Sequence, residues 1–284
     1  MNVQLIAVPY DSARRGERMG AGPELLQGAL VRQLEREGHA AGVRVLEAPT
    51  DSWRAEIRTA FDLARGVAWA VEETIADGGF PLVLSGNCGP AALGCVSALG
   101  HAPLVFWFDA HGDFNTPDTT MGGFLDGMAM AAMTGRCWPQ LTAGIPGFSP
   151  LPEENVTLIG ARDLDPLEAT ALEQSRVGRV SVGELRQALP AAIPAATARP
   201  SPAYLHLDLD VLDPGEGRVN PYQAPNGLTR ADVEWAMSTI ARGARIGAAA
   251  LTAYDPQSDP SGTGREAALA LAVALVRAVA EQHH

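Results

Sequence analysis

Residues 106–117 read FWFDAHGDFNTP and join the end of an apolar run to alternating polar residues. It begins inside an apolar run, Pro103–Phe108, of the kind that forms a buried parallel strand. Asp109, His111 and Asp113 follow at alternate positions, where that strand would end. Alternate side chains of an extended segment point the same way, so we expect these side chains to converge on one point.

A second stretch repeats this arrangement. Residues 204–214 read YLHLDLDVLDP, and Asp208 and Asp210 alternate at the end of another apolar strand. A lone Asp-x-His-x-Asp could be a turn beside a helix cap, and Asp213-Pro214 is typical of a turn because proline cannot extend a strand. Four carboxylates at the ends of two apolar strands would be a costly charge cluster without a cation. Together with His111 they suit a pair of divalent, oxygen-preferring ions.

These motifs resemble those of the arginase/agmatinase (ureohydrolase) family. DAHGD at 109–113 and HLDLDVLDP at 206–214 carry the resemblance, and GAGPELL at 20–26 and IGARDLDPLE at 159–168 extend it over nearly the whole chain. The resemblance implies a three-layer α/β/α fold with a mostly parallel central sheet. It also implies two manganese ions, hydrolysis of a guanidino or amidino carbon in a small-molecule substrate, and a homo-oligomer, either a trimer or a hexamer.

The order of predicted elements agrees with that fold class. Strands alternate with helices throughout, which indicates βαβ units and a mostly parallel sheet. No stretch of the 284 residues resembles a linker between two cores, so we expect a single arginase-like domain over 1–284. Besides the strands already described, apolar runs predict strands at Val3–Val8, Val43–Leu46, Pro81–Leu84, Val156–Ile159, Val180–Val182 and Ala248–Tyr254.

Composition excludes several classes of protein. A net charge of −12 argues against nucleic-acid binding, which needs a basic face. The first residues, MNVQLIAVPY, lack the basic segment of a signal peptide, and the apolar run Ala267–Val276 is too short to span a membrane. The three cysteines form no CxxC pair, which favours a reduced, cytoplasmic protein. All 21 basic residues are arginine, which excludes catalysis that needs a lysine Schiff base or a P-loop lysine.

The turn at Ser85–Gly89, SGNCG, departs from the family. Family members usually have Gly-Gly-Asp-His here, and the histidine binds one metal ion; this chain has Asn87 for the aspartate and Cys88 for the histidine. A buried thiol is often only a small apolar residue. Its position at the turn would also allow coordination, and a thiolate favours zinc or iron over manganese. We therefore expect one or two divalent ions per chain, manganese first, with zinc or iron as the alternative beside Cys88.

The metal ligands expected from the motifs and the resemblance form one set. The second ion retains all of its ligands, whereas the first has Cys88 in place of histidine. His206 lies two residues before Asp208 on the same strand face, where it could be a partner of a ligand or a satisfied core histidine. The predicted ligands are Cys88, Asp109, His111, Asp113, Asp208 and Asp210.

The segment Thr116–Gly127 is rich in glycine and threonine without strong periodicity, which is typical of an active-site loop. By resemblance, Asn115 and Thr120 match positions that hold the substrate carboxylate in arginases. Asp126 replaces the histidine that normally ends this loop. Its carboxylate could orient water, relay a proton or meet a cationic substrate. It could equally cap the helix predicted at Gly127–Thr134.

Other positions on the substrate side are partly retained. By resemblance, Asp165 and Glu168 match arginase positions that contact the α-amino group of the substrate. Asp165 could also begin a helix with Glu168 in its first turn, and both roles can hold together. Ala253 stands where most members have a glutamate that grips the guanidinium. Without that carboxylate a guanidinium loses a bidentate, charge-assisted hydrogen bond.

The favoured function is a metal-dependent hydrolase of a linear C–N bond, in an amidino, guanidino or related group of a small, amino-acid-like substrate. Two alternatives remain open. Cys88, Asp126 and Ala253 would also fit a non-catalytic relative that keeps one ion or senses an amino acid. The other alternative is a related metal-dependent hydrolase of an amide, in which Asp126 replaces the residues that bind and hydrolyse a guanidine group.

Overall fold

The computed structural model describes residues 1–49, 55–100, 102–193 and 202–282. Its strands are β1 (Asn2–Val8), β2 (Tyr10–Asp11), β3 (Arg14–Arg15), β4 (Ala40–Val45), β5 (Phe80–Ser85), β6 (Leu104–Phe108), β7 (Val156–Ile159), β8 (Gly178–Val180), β9 (Ala203–Asp208) and β10 (Ile246–Thr252). Within the described ranges, eight of these form one sheet in the order β4-β1-β5-β10-β9-β6-β7-β8, and every neighbouring pair is parallel. β2 and β3 form a small antiparallel hairpin.

Helices cover both faces of the sheet. They are α1 (Gly22–Arg36), α2 (Glu56–Ala76), α3 (Cys88–Leu99), α4 (Ala129–Met133), α5 (Pro139–Thr142), α6 (Pro166–Glu173), α7 (Leu185–Ala192), α8 (Arg230–Gly243) and α9 (Thr263–Glu281). One hydrophobic layer joins α1, α7, α8 and α9 to the sheet, and the other joins α2, α3 and α4 to the opposite face. The predicted three-layer α/β/α fold with a parallel sheet is confirmed.

The central strands are buried along almost their whole length because helices lie on both sides. That is why their sequences, such as LVFWF in β6, are nearly continuous apolar runs rather than alternating ones. A strand of this type is easily recognised in a sequence. No helix in the described part of the chain is long and apolar enough to cross a membrane.

The predicted strand bounds are accurate in the centre and less so at the edges. β7 has the predicted bounds, whereas β4 and β8 lie earlier in the chain than the predictions at Val43–Leu46 and Val180–Val182. Both are edge strands with mostly exposed residues, so apolar patterning does not mark their ends. The prediction Ala248–Tyr254 is wrong at its end, because Ala253 has a φ of 64° and leaves the extended conformation.

The sheet order decides where chemistry can occur. β5, β10, β9 and β6 are neighbours although they lie far apart in the sequence. Since all of them run parallel, their carboxyl ends open on the same edge, and ligands of open α/β sheets bind beyond that edge.

Candidate metal centre and substrate cavity

A cavity of about 230 Å³ lies at the carboxyl ends of these four strands. Every residue predicted above as a metal ligand, a substrate contact or a catalytic group lines it. The structure therefore brings the predicted site residues together in one place. Their individual roles remain predictions.

Hydrogen bonds fix the conformation of the segment that follows β6. Asp109 accepts a hydrogen bond from the backbone N–H of His111 at 2.7 Å and another from Trp107 Nε1 at 3.0 Å. Asp113 has a φ of 47°, in the left-handed region that aspartate tolerates better than most residues. Its carbonyl accepts two backbone hydrogen bonds from the start of α4, which hold this conformation. The alternating carboxylates thus keep fixed positions around the cavity.

The end of β9 is tied directly to the end of β6. The backbone N–H of Asp210 donates to Asp208 Oδ1 at 2.9 Å, in a short 3-10 turn that follows the strand. The backbone N–H of Ala110 donates to Asp210 Oδ1 at 3.1 Å. Asn220 Nδ2 donates to Asp210 Oδ2 at 3.3 Å. These bonds join the two strand ends into one carboxylate cluster.

Three overlapping groups of side chains in the described residues could each hold a metal ion. In each group the donor atoms all lie within 4.8 Å of one another. The group of Asp109, His111 and Asp210 offers carboxylates and one imidazole, which suit manganese. The other two contain the thiol and suit a softer ion. The groups are Asp109–His111–Asp210, Cys88–Asp109–Asp113 and Cys88–His206–Asp208.

The pKa values of three carboxyl groups in the cluster show uncompensated negative charge, whereas His111 outweighs burial at Asp210 and lowers its pKa to about 2. Burial, together with the charge of Asp210, raises the pKa of Asp109 to about 6. Burial and nearby carboxylates also raise the pKa values of Asp113 and Asp208 well above normal. Burial lowers the pKa of His111, but hydrogen bonds to Asp109 and Asp210 outweigh it and raise the value to about 12. Divalent cations would supply the missing positive charge, so the residues fit the metal that the motifs predict.

Cys88 lies at the start of α3 and belongs to this cluster. Its side chain is buried, with the thiol donating to Asp208 Oδ2 at 3.0 Å and lying 3.2 Å from Thr252 Oγ1. Burial raises the pKa of the thiol well above its usual value. A cation beside the sulfur would favour the thiolate instead. Cys88 thus lies where a metal ligand is expected, and its coordination of an ion stays a prediction.

Asp126 does cap a helix, but not the one that follows it. Its carboxylate accepts hydrogen bonds from the backbone N–H groups of Cys88 and Gly89, at 3.0 and 2.9 Å, and from Asn87 Nδ2 at 2.9 Å. It therefore caps α3, which begins nearly forty residues earlier in the chain. The helix predicted at Gly127–Thr134 is a 3-10 turn followed by the short α4. Burial raises the pKa of Asp126 to about 7 despite these donors.

The substrate-side residues form a second network across the cavity. Asp165 and Glu168 make a reciprocal capping box at the start of α6, which confirms the structural role considered for them. Asn115 Nδ2 donates to Asp165 Oδ2 at 3.0 Å, and Glu168 Oε1 accepts from the backbone N–H of Phe114 at 2.9 Å. Thr120 accepts a backbone hydrogen bond within the loop. All of these side chains also face the cavity, so a substrate role is compatible with the capping role.

Some residues that shape the site are not marked by any motif in the sequence. Asn220 lies in the loop that follows β9 and belongs to no motif of the sequence, yet it donates to both Asp210 and the carbonyl of Ala253. Nothing in the local sequence indicates this, because the loop must fold back onto β9. Thr252 contacts the cluster from β10, and a polar residue ending a buried strand was the available signal. Tyr222 lines the cavity mouth against Phe124.

Comparison with known proteins fits this geometry. Residues 1–280 match the sequence profile of the Arginase family. The chain belongs to the arginase family. Its relatives include an arginase from Bacillus caldovelox, 28% identical in an alignment of 287 positions that covers 95% of this chain and 96% of that protein. The N(omega)-hydroxy-L-arginine amidinohydrolase of Streptomyces lavendulae is 28% identical over 241 residues, 84% of each protein.

The fold agrees equally well with this arginase-family assignment. The solved native structure of the Bacillus caldovelox arginase superposes with a TM-score of 0.84 at 27% identity, covering 96% of this chain and 97% of that one. The chain is thus a metal-dependent hydrolase of the ureohydrolase type, which acts on a non-peptide C–N bond in a small, amino-acid-like molecule.

Proposed function

We propose that this arginase-family chain hydrolyses an amidino, formimino, carbamoyl or amide C–N bond of an amino-acid derivative, and not the guanidinium of L-arginine. One observation carries the proposal. The cavity combines the carboxylate cluster with Asp165 and Glu168, yet the buried Ala253 presents no carboxylate to a guanidinium. The chain would work as a single domain over 1–284, in a cytoplasmic homo-oligomer, either a trimer or a hexamer.

The carboxylate cluster would hold the ions. Asp109, His111, Asp208 and Asp210 would bind one, and manganese suits their oxygen and imidazole donors. Cys88 and Asp113 would contribute to a second ion, for which zinc or iron competes with manganese. When bound, such ions activate water and offset the negative charge that develops on the substrate.

The protein groups then position the substrate and move protons. Asp165 and Glu168 carry negative charge on the side of the cavity that would receive an α-amino group, and Asn115 holds Asp165 in place at 3.0 Å. Thr120 would complete the contacts of the loop with the substrate carboxylate. Asp126 is our candidate for the proton relay, since a carboxyl group with a pKa of about 7 can both accept and release a proton near neutral pH.

The metal assignment is tested with Asp208→Ala. The variant should lose bound manganese and melt at a lower temperature, because removing one carboxylate mismatches the ions and their ligands, and bound metal stabilises the fold. Elemental analysis and thermal unfolding measure the two effects. Asp163→Asn is the matched control, since this carboxylate also lines the cavity but lies largely exposed at its rim. Unchanged metal content in Asp208→Ala would mean that the site is misplaced.

The substrate assignment is tested by release of ammonia or urea from a panel of amino-acid derivatives. Amidino, formimino, carbamoyl and amide compounds should be offered with manganese, zinc, iron and cobalt in turn. We expect turnover of at least one of these compounds and little urea from L-arginine or agmatine. Ions bound without any turnover would instead favour the non-catalytic relative.

A further inference from the structure

A third donor group lies beside the expected manganese ligands and reaches deeper into the sheet. Cys88, His206 and Asp208 come from α3 and β9, and their donor atoms lie within 4.8 Å of one another. Their exposed fractions are 2%, 0% and 5%. This group combines sulfur, nitrogen and oxygen, unlike the Asp109–His111–Asp210 group, which contains no sulfur.

Stacking and two hydroxyl contacts fix the ring of His206. It stacks on Trp107 with 3.7 Å between ring centroids and 14° between planes. Its Nδ1 lies 2.7 Å from the hydroxyl of Tyr204, and its Nε2 faces Thr252 Oγ1 at 3.3 Å. If Nδ1 carries the proton and donates to Tyr204, the lone pair of Nε2 points toward the cluster, which is the usual arrangement for a metal-bound histidine.

Thr252 closes the cluster from the neighbouring strand. Its Oγ1 lies 3.2 Å from Cys88 Sγ, 3.3 Å from His206 Nε2 and 3.4 Å from Asp208 Oδ2. One hydroxyl thus contacts every donor of the group. A thiol, an imidazole and a carboxylate therefore all converge on this hydroxyl.

We propose that Cys88, His206 and Asp208 bind a zinc ion next to the manganese site, so that the centre holds two different metals. This inference rests on the proposed function and adds the imidazole ligand and the metal selectivity. Thiolate, imidazole and carboxylate are the donors that zinc takes in proteins, and three protein ligands leave one position for water or substrate. The sulfur-free group beside it suits manganese better. Bound zinc would also offset the negative charge of Asp208 and of the thiolate.

The experiment uses the full chain, freed of metal and then given zinc or cobalt(II) with manganese present. Cobalt bound to a thiolate gives a near-ultraviolet charge-transfer band, which we expect in the unchanged protein and not in Cys88→Ala. His206→Gln should weaken zinc binding by at least about tenfold. Cys95→Ala is the matched control for the thiol, because Cys95 is equally buried in α3 but belongs to none of the donor groups found in the described residues. His39→Gln is the control for the imidazole.

The results separate this inference from the proposed function. Zinc affinity in His206→Gln equal to that of the unchanged protein would overturn it, as would a cobalt–sulfur band that survives in Cys88→Ala. If His206→Gln does not fold, the Cys88→Ala spectrum and its zinc stoichiometry decide alone. Manganese bound at one ion per chain in all four variants would leave the proposed function intact even when zinc binding fails. If the unchanged protein binds no manganese, this result would count against the proposed function itself.

Discussion

Ala253 has an unusual backbone for a residue with a side chain. Its φ of 64° lies in the left-handed region, which costs an alanine roughly 1–2 kcal/mol. Two hydrogen bonds hold it there, from its N–H to the carbonyl of Ser85 at 3.2 Å and to its carbonyl from Asn220 Nδ2 at 3.0 Å. The backbone therefore fixes the direction of any side chain at this position, and that direction is into the cavity.

Ala253→Glu should accordingly create activity toward L-arginine. A carboxylate there would form a charge-assisted hydrogen bond to the guanidinium, worth about 1.5–3 kcal/mol, which corresponds to a gain of roughly tenfold to a hundredfold in kcat/KM. Urea release from L-arginine measures this gain. Ala253→Gln, with the same size and no charge, should gain much less. Equal gains in both variants, or rapid urea release by the unchanged chain, would show that another carboxylate already serves the guanidinium, most simply Asp126.

Helix α3 shows which parts of the site can be predicted from the sequence and which depend on the fold. The motifs of β6 and β9 were recognisable because the predicted ligands alternate in the sequence at the end of, or just beyond, a continuous apolar strand. The cap of α3 was not, since Asp126 reaches it only through the fold of the loop that follows β6. The convergence of His206 and Thr252 on Cys88 likewise depends on which strands are neighbours, and no local pattern encodes that order.

The start of α9 depends on one side chain that precedes it. Asp259 accepts hydrogen bonds from the backbone N–H of Arg265 at 2.8 Å and from the hydroxyl of Tyr254 at 3.0 Å. Asp259→Ala should therefore lower the free energy of unfolding by about 1–2 kcal/mol, the usual effect of losing a helix cap. Urea unfolding measures it. Asp118→Ala, an exposed loop variant, is the control and should change stability by less than about 0.5 kcal/mol.

The difference in stability between the unchanged protein and Asp259→Ala should depend on pH. Burial tends to raise the pKa of Asp259, but the hydrogen bonds from Arg265 and Tyr254 outweigh it and lower the pKa below its usual value. A carboxyl group of this kind stabilises the fold above its unfolded pKa of about 3.9, and this contribution disappears as the pH falls through the folded value. The difference between the unchanged protein and Asp259→Ala should be full at neutral pH and shrink below about pH 4. A difference that is constant across this range would mean that the ionised form of Asp259 is not the cap.

Across the whole molecule, the parallel sheet gathers negative charge at one edge, and in the described residues His111 balances only part of it. The neighbouring ends of β9 and β6 place Asp208, Asp210, Asp109 and Asp113 in one buried cluster, and His111 is the cationic partner that the structure gives to Asp109 and Asp210. An apolar sheet with polar strand ends is stable only when those ends are satisfied. Metal binding and folding should therefore be coupled in this protein.

That coupling should depend on pH in a definite direction. Without metal, the pKa of Asp109 rises to about 6, and those of Asp113 and Asp208 rise too, mainly because of burial. Unfolded carboxyl groups titrate near about 3.9, so from there to about pH 6 the native state holds more protons and loses stability as the pH rises. His111, raised to about 12, adds a further loss above its unfolded value of about 6.5.

Bound ions reverse this trend, because they bind deprotonated carboxylates and replace the missing positive charge. The gap in Tm between the manganese- and zinc-loaded protein and the metal-free protein should therefore widen by several degrees from about pH 5.5 to about pH 8. Thermal unfolding of both forms at matched ionic strength measures it. In Asp208→Ala, which should bind metal poorly, the gap should be small at both pH values. A gap that stays constant or narrows with rising pH in the unchanged protein would mean that these carboxylates are not the ones that hold the ions.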